Sequence, residues 1–268
     1  MIRYQPPLRD MKFVLVELLD MERALAELPS HANVTWDLAA TVLTASARFS
    51  QEVLLPTNVV GDTDGCRFEN GRVTAPPGFR EAYRAFRDAG WQAMVGDPTY
   101  GGQGLPHVLA RPGRGDAEFR QSSVGDVCQL DTRSLCSDRG PRQRGAETHL
   151  FARADPVVRD FTLPLAELLA NLEHVTQELA VRALADRDEV GAAAVDYLRL
   201  LGHLTYAYLW ARMAKRASEQ SLAADPFYSA KLATARFYFQ RLLPETASLL
   251  LSIRSGAENL LTLPAEAF

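Results

Sequence analysis

The stretch "DPTYGGQGLPHVLARPGRGDAEFRQSSVGD", residues 97–126, changes character halfway along. Up to Leu109 it has the punctuation of a helical protein, a glycine turn followed by the start of another helix. From Arg111 it becomes a mixture of arginine, glycine and serine with no period. The chain beyond Leu109 decides the fold, because a further domain would have to begin there. Residues 111–150 hold seven arginines, no lysine and no run of four apolar residues. A structureless loop of that length is itself a sign against an ordinary domain arrangement. From its residues it reads as a flexible linker or as an arginine tract for RNA. The RNA reading is weakened by Asp116, Glu118, Asp126, Asp131, Asp138 and Glu147, which offset the arginines and leave too little charge to draw in phosphates.

Upstream of this stretch the pattern is helical. Phe13, Val14, Leu18, Leu19 and Leu25 predict a helix over residues 8–27, with Asp10 as its cap and Pro29 as its stop. A second helix starts near Thr35 and carries Leu38, Val42, Ala45, Phe49 and Val53 as far as Pro56, which is expected to end it. Gly61, Gly65, Asn70-Gly71 and Pro76-Pro77 then predict a long ordered loop. "FREAYRAFRDA" sets Phe79, Tyr83 and Phe86 on one helix face, closed by Gly90.

Downstream the signals are stronger. Leu165, Leu168, Leu169, Leu172, Val175 and Leu179 form one stripe over residues 161–185, with Pro164 expected in the first turn. Residues 189–220 predict a long central helix, apolar nearly all round its middle, with Gly202, Ala207, Ala211 and Ala214 small enough for a close neighbour. Asp225 and Pro226 open the last long helical stretch as N-cap and first residue. Pro244 falls inside it and predicts a kink, because its ring crowds the carbonyl of Gln240. The expected fold is therefore all-α, with a helical N-terminal packet at residues 1–109, an irregular segment at 110–154 and a helical C-terminal packet at 155–268.

The 268 residues are 47% hydrophobic with a formal charge of −4, enough for a sizeable core and unlike a nucleic-acid binder. Cys66, Cys128 and Cys136 are odd in number and not in CxxC pairs, which fits neither a disulfide framework nor a zinc site and suggests a reducing, cytoplasmic setting. The N-terminus lacks the basic and apolar regions of a signal peptide. The longest apolar run is interrupted by Asp196, Arg199, His203 and Arg212, so no membrane span is expected.

Several segments together resemble the acyl-CoA dehydrogenases, in particular the subgroup that includes the 3-methylmercaptopropionyl-CoA dehydrogenases. They are "YQPPLRDMKFVL", "SQEVLLPTNVVGDTDGC", "GRVTAPPGFREAYRAFRDAGWQAM" and "DPTYGGQGLP" in the first packet. In the second they are "AAAVDYLRLLGHLTYAYLWARMA", "FYSAKLATARFYFQRLLP" and "SGAENLLTLPAEAF". The resemblance implies an FAD enzyme that takes the C2 proton and C3 hydride of an acyl-CoA, with a glutamate as base. It sets Tyr100, Gly101, Gly102 and Gln103 near substrate and flavin.

In such enzymes the YGGQGLP turn leads into further helices, a β-barrel over the flavin and a bundle that carries the glutamate. This chain instead passes through about forty irregular residues straight to the family's C-terminal extension. It has no threonine-glutamate-proline or tyrosine-glutamate-glycine-threonine segment and no strands at hairpin spacing. Residues 111–150 are too few, and too poor in β-branched alternation, to close a barrel around an isoalloxazine ring. The resemblance therefore implies an internally deleted remnant that does not retain FAD alone, or else a helical module that self-associates or binds an intact homologue. Three lysines against twenty-six arginines fit a GC-rich gene, whose wrong reading frame yields filler of this kind.

No residue is assigned a catalytic role and none a metal. Glu167, Glu173, Glu178, Glu245 and Glu258 read as a solvated face. His174 and His203 read as lone histidines without an acidic partner at ligand spacing. Asp196, Arg199 and Arg212 read as an ion network in preference to a clamp on CoA phosphates.

Overall fold

A computed structural model describes residues 5–110, 156–220 and 225–262 of the chain. The sequence expectation for 111–150 lies outside the described residues. Two compact units are resolved, Met1–Leu130 and Asp131–Phe268, and the described parts are helical apart from one small hairpin.

In the first unit, α1 (Leu8–Lys12) runs into a π turn at Phe13–Leu18, and α2 (Met21–Ala26) follows. The single helix expected over 8–27 is interrupted at Asp20, whose backbone is left-handed at φ 50°. Asp10 lies inside α1, and Pro7 occupies the N-cap. α3 (Trp36–Phe49) begins as expected at Thr35, whose Oγ1 accepts the Leu38 amide at 3.4 Å. Met11, Leu15, Ala39, Leu43, Met94 and Leu109 close the core of this unit.

Pro56 does not stop the chain's helix. A π turn at Ser50–Leu54 precedes α4 (Leu55–Asp64), with the Leu55 amide reaching back to the Ser50 carbonyl. The widened turn moves the preceding carbonyls away from the proline ring, which removes the clash that a regular helix would suffer. The expected loop is thus partly helix and partly hairpin, with β1 (Arg67–Glu69) and β2 (Arg72–Thr74) antiparallel across Asn70-Gly71. Strands at hairpin spacing are therefore present after all. In α5 (Phe79–Asp88), Phe86 packs 6.2 Å from Phe49, whereas Phe79 and Tyr83 are exposed. Gly90 ends that helix at φ 74°. The short α6 (His107–Ala110) closes the described part of the unit.

The second unit is built on two long helices, α7 (Pro156–Ala185) and α8 (Asp188–Gln220). Two residues join them, so they return antiparallel, and Thr176 Oγ1 meets Tyr197 Oη at 2.7 Å across the pair. Pro164 lies in the interior of α7, because the helix starts at Pro156 and not near Phe161. α8 is the central helix, packed by α7, α9 (Pro226–Phe237) and α10 (Glu245–Ser255). Ala207, Ala211 and Ala214 are buried against neighbours, but a Cβ on Gly202 would meet nothing within 4 Å. Gly202 is therefore no close-approach point.

Asp225 caps α9 through the Phe227 amide at 2.9 Å. At Pro244 the break repeats the Pro56 arrangement: a π turn at Tyr238–Leu242, with Leu243 N bonded to Tyr238 O at 2.9 Å, lets the chain restart at Glu245. The short α11 (Glu258–Leu261) comes last. Phe161, Val175, Leu200, Met213 and Ile253 are the most buried large side chains here, with the Phe161 and Phe239 rings tilted against each other at 5.2 Å.

Candidate functional site

Asp97 opens the glycine turn by accepting the Thr99 amide at 2.8 Å, which starts a short 3₁₀ turn at Pro98–Tyr100. The Thr99 amide and hydroxyl hold the Asp97 carboxyl below the ordinary carboxylate range. Gly101 then turns the chain at φ 86°. Every amide from Tyr100 to Leu105 is spent inside the turn: Tyr100 on Asp97 O (3.0 Å), Gly101 on Pro98 O (3.1 Å), Gly102 on Asp97 O (3.0 Å), Gln103 on Ala93 O (2.9 Å), Gly104 on Gly96 O (2.9 Å) and Leu105 on Met94 O (2.8 Å). The Gln103 side-chain amide donates to Gly90 O at 3.3 Å. Gly102 lies so close to Gly96 that a Cβ would fall 2.0 Å from the Gly96 carbonyl. Tyr100 alone of the four predicted residues projects a free side chain, at 89% exposure.

A phosphate or flavin site needs amides that are still unpaired, and here none is. The residues of this turn do not fit an FAD pyrophosphate.

The five glutamates singled out in the sequence divide into two kinds. Glu167, Glu173 and Glu258 are exposed. Glu178 accepts from Arg254 Nε at 2.9 Å and lies 3.0 Å from His174 Nε2. Arg254 holds its carboxyl below the ordinary range. That is the wrong direction for a base that must take a weakly acidic C–H proton. Glu245 pairs with Arg199, and its other oxygen lies 3.4 Å from His203 Nε2, a contact that becomes an ion pair only when the ring is protonated. Both histidines thus have acidic neighbours, contrary to the sequence reading, and the His174–Glu178 spacing of four was visible in the sequence. Arg199 pairs with Glu245 and Arg212 lies 5.6 Å over the Tyr208 ring, so Asp196, Arg199 and Arg212 do not form one network.

Sequence reasoning also missed Tyr238. Its hydroxyl donates to the His203 carbonyl at 3.1 Å and lies 3.2 Å from His203 Nδ1. Both contacts are satisfied when Nδ1 carries the imidazole proton. Burial drives the Tyr238 phenol well above its ordinary value, so it bridges α8 to the π turn as a neutral group and not as a base. Its signal in the sequence is faint, an aromatic among the aromatics of "RFYFQ".

Burial, and then the charge of Arg199, push the His203 pKa below its ordinary 6.5. Above that value the ring is neutral in both folded and unfolded chains. As pH falls through 6.5, the unfolded chain takes up the proton first, and stability declines until the lower folded value is reached. Thermal unfolding should therefore show a midpoint that drops as the pH is lowered through 6.5. His203→Gln should flatten that drop, and an equal drop in the variant would remove His203 as its source.

Among the described residues no three His, Cys, Asp or Glu side chains gather as a metal-binding group. None of the described helices is long and apolar enough to cross a membrane.

Comparison with known proteins gives two findings. Residues 144–264 match the family described as Acetyl-CoA dehydrogenase C-terminal like. A 3-methylmercaptopropionyl-CoA dehydrogenase of Ruegeria pomeroyi is 39% identical over 129 residues. That alignment takes in 48% of this chain and spans 22% of the relative's length.

Proposed function

We propose, for a chain that belongs to the acyl-CoA dehydrogenase family, that it derives from an FAD-dependent enzyme of acyl-CoA 2,3-dehydrogenation and does not perform that reaction by itself. The observation that carries this reading is the state of the carboxylates. Of the seven glutamates on the described extension helices, Glu178, Glu189, Glu219 and Glu245 are tied to arginines, and Glu167, Glu173 and Glu258 stand in solvent. Glu189 is the most buried of them, but it faces Arg182 Nε at 3.3 Å and accepts the Ala257 amide at 3.1 Å, so it is a paired carboxylate and not a free base. The engaged amides of residues 100–105 support the same conclusion for the flavin. In intact relatives the resemblance sets Tyr100, Gly101, Gly102 and Gln103 near substrate and cofactor. In this chain the Tyr100 ring is the part of that turn left to touch either. With cysteines odd in number and outside CxxC pairs, the chain suits the cytoplasm.

A second reading, an interaction or oligomerisation module, is favoured by the run of residues 51–75, in which none is buried.

The test is cofactor content. Purified from a flavin-replete host, the chain should carry no FAD, because the ring needs walls on both faces and the pyrophosphate needs free donors. A flavin absorbance band near one per chain would overturn the proposal.

A further inference from the structure

Residues 51–75 form most of a π turn, α4 and the β1–β2 hairpin without burying a single side chain. A lone two-stranded hairpin is marginal in water, and this one leaves its apolar pair Phe68 and Val73 at 72% and 69% exposure. The two lie directly opposite each other and share a face. Arg67, Glu69, Arg72 and Thr74 share the other face. Across a two-residue Asn-Gly turn, the flanking pair Glu69–Arg72 exchanges ladder hydrogen bonds, which makes Phe68–Val73 a non-hydrogen-bonded pair. The N–H and C=O of Phe68 therefore point away from β2, along the free edge of β1.

We infer that this edge docks a second copy of the chain, β1 pairing antiparallel with β1 about a two-fold axis at Phe68. Phe68 is the residue of β1 with outward backbone groups, so one register results, in which the two Phe68 residues exchange both N–H···O=C bonds. In that register Arg67 stands opposite Glu69 of the second copy, and Glu69 opposite its Arg67. A single symmetry operation thus forms two ion pairs.

Neither Arg67 nor Glu69 makes an ion pair among the described residues. Val73, Phe68, Phe68 and Val73 then form one apolar row across a four-stranded sheet. Pairing through β2 would set Arg72 opposite Thr74, with no charge attraction, which favours β1. Charged edges usually keep strangers away; an arginine and a glutamate two apart around Phe68 fit an antiparallel copy of the same strand. Strands of three residues give a small contact, so the dimer is weak and concentration-dependent. The inference holds whether or not the chain turns over an acyl-CoA.

Sedimentation velocity on the full chain over a concentration series tests it. Wild type should pass from monomer to dimer. Arg67→Glu places like charges in both symmetric pairs and should weaken dimerisation roughly tenfold. Glu69→Arg should do the same, although Glu69 also faces Arg72 in its own hairpin, so Arg67→Glu is the cleaner variant. An equimolar mixture of the two single variants should form a heterodimer, and the double reversal should recover wild-type affinity. Hydrogen exchange should show the Phe68 amide gaining protection with concentration. The inference is overturned by a monomer at every concentration, or by a dimer indifferent to the reversals. Phe68 protection that does not change with concentration would also overturn it, since the edge would then be covered within one chain.

Discussion

Assayed with a series of acyl-CoA thioesters, added FAD and an artificial electron acceptor, the purified chain should give no 2,3-dehydrogenation above the protein-free rate. The reaction needs a desolvated carboxylate base, a flavin to take the hydride, and donors aimed at the thioester oxygen as it gains negative charge. Losing one oxyanion donor typically costs roughly 100-fold to 1000-fold, and losing the base a similar factor. Here the losses coincide. Arg254 holds the Glu178 carboxyl below the ordinary range, Arg199 pairs with Glu245, and the amides of the glycine turn already have acceptors. Turnover by the chain alone would refute the reading, and substituting Glu167, Glu173, Glu178, Glu245 and Glu258 singly would then find the base. The same assay with an intact homologue separates the two functional readings. A rate that rises when this chain is added would mark a docking module, and an unchanged rate would leave the inactive remnant.

The parts of the fold that the sequence announces are those in which one local rule acts without competition. α8 is legible because its apolar positions surround the helix, and the Asp225-Pro226 start because cap and first-turn proline coincide. Pro56 and Pro244 mislead because the proline rule assumes a regular ladder of bonds four residues apart. A π turn immediately upstream of each lets a helix resume. Pro164 misleads differently. Its helix begins at Pro156, beside residues whose composition carries no helical period, so the first clear apolar position, Phe161, looks like the beginning.

The hairpin was signalled by Asn70-Gly71, the best short cue there is, but its strands of three residues are too short to show alternation. The side-chain pairings are harder still. Glu178 and Arg254 are 76 residues apart and Arg199 and Glu245 are 46 apart. No local spacing can bring such partners together; the packing of α7, α8 and α10 does.

The glycine turn yields the sharpest expected change in stability. Gly102→Ala should cost about 3 kcal/mol or more, because the new methyl would lie 2.0 Å from both the carbonyl carbon and the oxygen of Gly96. These are backbone atoms, held by bonds from Gln103 to Ala93, Gly104 to Gly96 and Leu105 to Met94. Relief of the clash would require giving up several of those bonds together. Gly101 supplies the control. Its φ of 86° disfavours a side chain, but nothing lies within 4 Å of its added Cβ, so Gly101→Ala should cost only about 1–2 kcal/mol. Tyr100→Phe, at an exposed ring, should change stability by no more than about 0.5 kcal/mol. Urea unfolding of the three variants orders them, with limited proteolysis of the first unit as the readout if Gly102→Ala does not accumulate. A Gly102→Ala chain as stable as Gly101→Ala would mean that the two segments are not locked together. Residues 100–105 would then have amides to offer a ligand, and the case against a flavin contact at this turn would fall with the packing.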